Sequence, residues 1–328
     1  MIRLINSVLK IFGIQFKRTA SLSLERQYYE GIIKGSNELY KIRQEVDIIV
    51  FNDKIACLAF SKDRPLQLHA LLSSYFKFVT NPAPIDIIYK ASTIEIESFY
   101  QELASEFSSF PVRLIKEQNF YTQVIHWLET VNADRIFFLT DDAVFLEEMN
   151  LLDCLGFHPI NEIFSFKNGR DFDYSFAFDK FQELPSIDEV INSEGMIFYR
   201  WRWDEKKDSP GWNYPLSVDG NVFYRREILS MLNNVSFKSP NSLESSIQVF
   251  IDLFTHRNGV SYSKVKMVNV PCNLVQNEFA NRTTGFFTSE ELLIFWKEHK
   301  RIDIDNFYQL KANEAICKKY TFYLIAKS

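Results

Sequence analysis

Cysteine is scarce and scattered. Cys57, Cys154, Cys272 and Cys317 lie far apart and form no C-x-x-C pair. That argues against a zinc ribbon or a thioredoxin-like site, and so sparse a set suits a reducing compartment. The five histidines, at 69, 126, 158, 256 and 299, never fall four apart, which removes the metalloprotease helix. None has a carboxylate at useful spacing, so they read as core or surface residues. No G-x-G-x-x-G and no P-loop occur, and dinucleotide and Walker-type sites lose their main support. There is no long basic run, and the net charge is -5. Both argue against a nucleic-acid partner, because neutralising phosphates takes clustered Lys and Arg. No run reaches the roughly 18 apolar residues that a membrane-spanning helix needs. Internal repeats and low-complexity tracts are missing as well.

What is present suits a large core. The chain has 328 residues and is 46% hydrophobic, enough for one large domain with extensions or for two small ones. Aromatics reach 16%, with 31 Phe and 15 Tyr, which points to a Phe-packed core or a wide stacking surface. The N-terminus places Ile5, Val8, Leu9 and Phe12 at helical spacing among Arg3, Lys10, Lys17 and Arg18. Residues 1–18 are therefore expected either to lie in a membrane interface as a basic amphipathic helix or to pack on the domain. They lack the small-residue cleavage site of a secretory signal. The expected location is cytoplasmic, with peripheral contact at the inner face of the cell membrane. The expected organisation is a helical lead-in over 1–50, an α/β domain over 51–280 and a helical extension over 281–328.

The α/β reading comes from alternation. IACLAF (55–60), IDIIY (85–89), VRLI (112–115) and IFFL (136–139) are compact apolar runs, the mark of strands buried on both faces. Between them run helical periods: Leu68, Leu71, Leu72 and Tyr75; then Ile96, Phe99, Tyr100, Leu103 and Phe107; then Val124, Leu128 and Val131. Ser92-Thr93-Ile94-Glu95 reads as a capping box for the second of these. Such alternation predicts a parallel sheet with right-handed crossovers, and ligands of such sheets gather at the carboxyl ends of the strands. Further on, residues 222–232 read as a strand running into a helix, and 239–254 as a helix with an apolar face.

The strand ends direct attention to the loops 61–65, 90–92 and 140–145, and three segments carry candidate chemistry. Thr140-Asp141-Asp142-Ala143-Val144-Phe145 places two carboxylates directly after an apolar strand. Unpaired there, they would repel and be desolvated. A divalent cation, or a ribose hydroxyl plus a cation, removes that cost, and hard oxygen ligands suit Mn²⁺ or Mg²⁺. The alternative is that one Asp caps the next turn. Ser61-Lys62-Asp63-Arg64-Pro65 follows the first strand; its Asp and Arg can bond a base edge, a ribose or a phosphate, or can form a plain surface pair. Residues 218–244 hold Asp219, before Gly220, and Glu244, in Ser239-Pro240-Asn241-Ser242-Leu243-Glu244. Glu244 is a candidate general base, or an acid in the first turn of a helix. Asp219 is a candidate donor-sugar contact, or a turn residue with Gly220.

These blocks resemble those of GT-A-fold glycosyltransferases of the family-2 type, related to the spore-coat polysaccharide enzyme. The resemblance covers roughly residues 55–275. A strand ending T-D-D-x-[VI]-[FY] is that family's acidic motif. It implies Asp141 near the ribose and Asp142 as ligand of the metal that holds the donor diphosphate. Ser61, Asp63 and Arg64 match the S/T-x-N/D-R-P turn that opens the nucleotide site. The family carries a base-contacting Asp after the second strand. Here the loop reads Tyr89-Lys90-Ala91-Ser92, so the base is not specified, and Lys90 is counted among the donor-binding residues. The family's equivalent of 218–244 closes the donor sugar site, and an acid at the start of the later helix serves there as base.

A fourth feature is aromatic. Trp203, Trp212 and Tyr214, with Trp201, are expected either to stack on acceptor sugars or to pack in the core. The expected function is a metal-dependent glycosyltransferase, inverting if Glu244 is the base. It moves a sugar from a nucleoside-diphosphate sugar to a glycan or lipid-linked acceptor. Two alternatives stand: a sugar nucleotidyltransferase, against which residues 55–65 contain no Gly, and a non-catalytic carbohydrate-binding protein that has kept the fold. Slow hydrolysis of a nucleotide sugar with Mn²⁺ separates enzyme from binding module.

Overall fold

The computed structural model describes residues 24–192, 194–275 and 281–325. Residues 1–18, expected at a membrane surface, fall outside these ranges. A nine-stranded sheet runs through the molecule. From one edge its strands are Asp188–Ile191, Ile197–Arg202, Asn258–Tyr262, Glu162–Ser165, Asn221–Tyr224, Arg135–Thr140, Ile55–Lys62, Ile85–Lys90 and Val112–Lys116. Only Ile197–Arg202 and Asn221–Tyr224 run against the others. The mostly parallel α/β sheet inferred from the alternation is thus observed, with four of its strands at the four apolar runs.

The first strand shows why these runs form the centre. Ile55, Cys57 and Ala59 face one buried cluster, and Ala56, Leu58 and Phe60 face another. Alternation along a strand sends successive side chains to opposite faces, so a wholly apolar run is stable only with a layer on each side. The helix Pro65–Phe78 covers one face with Leu68, Leu71, Leu72 and Tyr75, all buried. Pro65 opens it, where the missing N–H costs nothing. The helix Phe120–Thr130 packs Val124, Trp127 and Leu128 on the other face, capped by Asn119. The helix Ile94–Glu106 starts one residue later than the predicted box: Thr93 caps it by accepting from the Ile96 N–H. Ser92 turns away to Asp63 instead, with Oγ 2.6 Å from Oδ2.

The flanking segments are tied to this body. A helix over 24–44 comes close to the loop at Asn234, where a Cβ on Gly31 would lie 2.3 Å from the carbonyl oxygen. Past residue 280 the chain is not all helix. The helix Ser289–Lys297 is followed by strands Lys300–Ile302 and Phe322–Leu324, paired antiparallel. Trp296 and Phe307 sit in the same buried cluster as the first strand. Fully buried Arg301 lies 3.6 Å over the Trp296 ring and reaches Glu102 at 3.2 Å.

Candidate active site

The register of the sheet lines up the strand ends. Ser61 pairs with Tyr89, Lys62 with Lys90, and Phe60 with Thr140. Asn221–Tyr224 runs the other way beside Arg135–Thr140, with Val222 opposite Phe137. Its amino end therefore meets the carboxyl end of its neighbour. Gly220, at φ +72 with Met267 Sδ where a Cβ would stand, donates its N–H to Phe138 O at 3.0 Å. That turn delivers Asp219 to Thr140. On the far side, Met267–Asn269 pairs antiparallel with Ala143–Phe145, which sets Asn269 opposite Ala143.

Four side chains consequently meet. Thr140 Oγ1 lies 2.8 Å from Asp142 Oδ1 and 2.8 Å from Asp219 Oδ1. The Asn269 amide donates to Thr140 Oγ1 at 2.8 Å and to Asp142 Oδ1 at 3.0 Å. The hydrogens do not suffice. Asn269 spends both of its own, and the single hydroxyl hydrogen of Thr140 serves Asp142 or Asp219 but not both. One carboxylate is left facing an oxygen with no hydrogen between them, an arrangement that draws a cation. Asn269 Oδ1 is buried without a hydrogen-bond partner. Among the described residues, no three His, Cys, Asp or Glu side chains form a metal-holding group. The set here is two carboxylates, a hydroxyl and an amide oxygen.

Asp141 is bound from within. Its Oδ1 accepts from Arg64 Nη1 at 3.0 Å; its Oδ2 accepts from Ser61 Oγ at 2.9 Å and from the Lys62 N–H at 3.2 Å. Ser61 in turn bonds the buried Tyr100 hydroxyl at 2.7 Å. Burial pushes the Asp141 carboxyl up to about 6, against the pull of Arg64 and Ser61. The bond from Arg64 Nη1 ties this carboxyl to the guanidinium and holds it in place. Arg64 also donates through Nη2 to Asn273 O and stands 3.7 Å from Asp142 Oδ2.

Glu244 occupies the second turn of the helix Pro240–Ile247, whose first turn contains no acid. The first-turn alternative therefore fails: the first turn is completed by Ser239 and Ser242, which cap it reciprocally. Glu244 Oε1 accepts the Val218 N–H at 3.1 Å, one residue from Asp219. Burial, and next the charge of Asp219, push the Glu244 carboxyl well above the ordinary carboxylate range; Lys167 opposes. Lys167 Nζ lies 3.7 Å from Asp219 Oδ2.

One cavity of about 1140 Å³ gathers Ser61, Arg64, Lys90, Asp141, Asp142, Tyr214, Asp219 and Glu244 along its wall. Three predicted site residues are not there. Asp63, at φ +55, turns its carboxylate onto the Ser92 N–H and hydroxyl at 2.7 and 2.6 Å, tying the first strand's turn to the next loop. Trp203 and Trp212 are fully buried and cannot face a sugar. They pack edge to face on Trp201, at 5.0 and 4.9 Å between ring centroids, the low-energy arrangement of aromatic quadrupoles. Missed from sequence were Asn269 and Lys167, which lie in no motif, and Phe176 and Phe178, which also line the cavity. Thr140 stood in the acidic motif, but its bridging position depends on Asp219 arriving from elsewhere in the chain.

No model of a known protein family matches the chain. The bifunctional glycosyltransferase pgtA of Dictyostelium discoideum is 27% identical over 171 residues, 47% of this chain and 22% of that protein. The chain thus matches only about a fifth of the relative's length. Among solved structures, residues 1–349 of S. aureus TarS give a TM-score of 0.42 at 12% identity, over 66% of this chain and 61% of that one. A mannosyltransferase from Pyrobaculum calidifontis, in complex with GDP-Man and Mn²⁺, gives 0.41 at 9% identity, over 76% and 69%.

Proposed function

We propose that the protein is a glycosyltransferase that moves a sugar from a nucleoside-diphosphate sugar to a hydroxyl of a glycan or lipid-linked acceptor, with inversion. The observation that carries this reading is the meeting of Asp142, Asp219, Thr140 and Asn269 at the strand ends, in one cavity with Glu244. The matched segment of a glycosyltransferase relative supports it.

The residues fit a divalent cation. Asp142 and Asp219 would hold Mn²⁺ or Mg²⁺, with the unpartnered Asn269 Oδ1 as the remaining protein oxygen. A protein set this small suits ions that complete their shell with water and phosphate oxygens. Bound there, the ion supplies positive charge against the charge that develops on the departing diphosphate. Arg64, fixed by Asp141, adds a second positive group beside Asp142. Lys90 stands at the cavity wall in an ion pair with Glu117 at 2.9 Å, on the donor side. Glu244 takes the proton of the acceptor hydroxyl as its oxygen attacks the anomeric carbon and the bond to the diphosphate breaks. Its raised affinity for protons makes it a stronger base than an exposed carboxylate.

Titration calorimetry tests the donor site. UDP and GDP are expected to bind the protein with Mn²⁺ at least about tenfold more tightly than with excess chelator, a difference of roughly 1.4 kcal/mol. Equal affinity in chelator for whichever nucleotide binds removes the metal from the site.

The location proposed is the inner face of the cell membrane, through residues 1–18. Their basic amphipathic pattern supports it, as do Leu24, Tyr29 and Ile33, exposed along the helix that follows. The full chain is expected to sediment with anionic vesicles, and a chain lacking residues 1–18 to stay in the supernatant with nucleotide binding intact. A full chain that ignores such vesicles excludes this attachment.

A further inference from the structure

The cavity is large for a small-molecule site. Its 1140 Å³ lies just above the usual range of roughly 300–1,000 Å³. Its wall includes the strand ends at Ser61, Lys90 and Thr140, and also a hairpin in which Tyr174–Ser175 pairs with Lys180–Phe181 and whose tip carries Phe176 and Phe178.

Strands of two residues do not hold a hairpin in water, and here side chains do so. Arg282 Nη1 donates to the Tyr174 hydroxyl at 3.0 Å and to Phe176 O at 2.8 Å. It pairs with Asp179 at 2.9 Å, and its guanidinium lies 4.4 Å over the Phe176 ring. Tyr174 donates to Asp179 Oδ1 at 2.5 Å. At the base, Gln182 donates to Phe172 O at 3.2 Å and accepts the Gly211 N–H at 3.0 Å. Trp212 Nε1 donates to the same carbonyl at 3.0 Å. Buried Trp212 is thus the bracket of the hairpin.

All this ordering presents one ring to the cavity uncovered. Phe178 is 66% exposed and lines the cavity wall, whereas one face of Phe176 is taken by Arg282. A single exposed apolar side chain is ordinary. One held on a fastened hairpin, facing a cavity that also contains a base, is pre-organised for a ligand. The same cavity is also lined by polar Ser175, Lys207 and Asn213, and a hydrocarbon chain filling it would leave such groups desolvated. A pyranose suits both: its C–H face packs on a ring, and its hydroxyls bond the polar wall.

We propose that the hairpin is the acceptor subsite, and that a pyranose of the acceptor stacks on Phe178 and presents its hydroxyl toward Glu244. This rests on the glycosyltransferase reading above. The test uses saturation-transfer NMR on the full chain with Mn²⁺ and UDP or GDP. The probes are the methyl glycosides of glucose, galactose, mannose and N-acetylglucosamine. At least one is expected to bind saturably, and Phe178→Ala to weaken it about tenfold, as loss of one stacking contact would. Phe178→Tyr is expected to retain binding, Ile94→Ala, at an exposed side chain outside the cavity, to leave it unchanged, and nucleotide affinity with Mn²⁺ to be the same in all. If nucleotide binds but no glycoside does, or if Phe178→Ala binds glycoside normally, the subsite is overturned while the donor site stands. If Phe178→Ala instead reduces sedimentation with vesicles and leaves glycoside binding intact, the ring is a lipid contact and the proposal is wrong. Absence of nucleotide binding in the wild type overturns the underlying reading itself.

Discussion

Glu244→Gln is expected to lower kcat by about 10²–10⁴, the usual contribution of a positioned general base, with donor affinity nearly unchanged. Gln keeps the shape and can still accept the Val218 N–H that holds Glu244 in place, so folding survives and circular dichroism checks it. What Gln cannot do is receive the acceptor's proton. An interaction needed only in the transition state shows as a fall in kcat and kcat/KM together. The pH profile supplies an independent readout. A base works ionised, so activity falls as pH drops through its pKa. Burial, the larger cause, raises that pKa, so the acid limb of the wild-type profile lies above the ordinary carboxylate range of about 4.3. In the Gln variant the limb is absent from whatever activity remains. Near-normal turnover by Glu244→Gln places the base elsewhere or makes the reaction retaining; if the base is Asp219, that residue is not a cation ligand.

Asp142→Asn is expected to fail differently. Asp142 stands at the centre of the polar cluster, bonded by Thr140 and Asn269 and 3.7 Å from Arg64. Removing its charge takes away a cation ligand in ground state and transition state alike. Losing an outer partner of a metal site typically costs 10–100-fold in metal affinity, so losing a carboxylate ligand is expected to cost at least about 100-fold. Calorimetry should show nucleotide affinity that no longer responds to Mn²⁺, and kcat falls as well. The outcome that sinks the idea is a variant whose nucleotide binding still depends on Mn²⁺ as the wild type's does. The contrast is diagnostic: Asp142 moves donor binding and turnover together, Glu244 turnover alone.

Local pattern made part of this legible. The runs at 55, 85, 112 and 136 are strands because an uninterrupted apolar segment of that length is stable only with a layer on each face, a constraint written in the segment itself. The same holds for Asp141 and Asp142. Adjacent carboxylates immediately after such a strand are at a sheet's carboxyl end wherever the rest of the chain goes. The strand-into-helix at 222–232 also appeared as read, as Asn221–Tyr224 and Arg225–Leu232.

Other features depended on partners distant in the chain. Trp201 and Trp203 alternate with Arg200 and Arg202 as a strand with one polar face would, yet Trp203 and, further on, Trp212 are both buried. Nothing in a strand's alternation says which face a later layer will cover, and the layer here comes from residues 172 and 184–187 as well as the first half of the chain. Asp63 reads as a ligand group in its turn, but Ser92, 29 residues on, claims both of its oxygens. Asn269 carries no local signal at all; it matters because an antiparallel pairing sets it opposite Ala143. Phe178 is an unremarkable residue until Arg282 and Trp212 fasten the hairpin under it. By itself the sequence determined the four strands of the first half with their intervening helices, and the acidic end of the fourth strand, because short-range periodicity and burial decide those; the other strands of the nine-stranded sheet and their order came only with the fold. Only the tertiary structure decided which carboxylates share Thr140, which aromatics reach the cavity and what Asp63 binds, because each is a contact between segments whose separation along the chain carries no information about their distance in space.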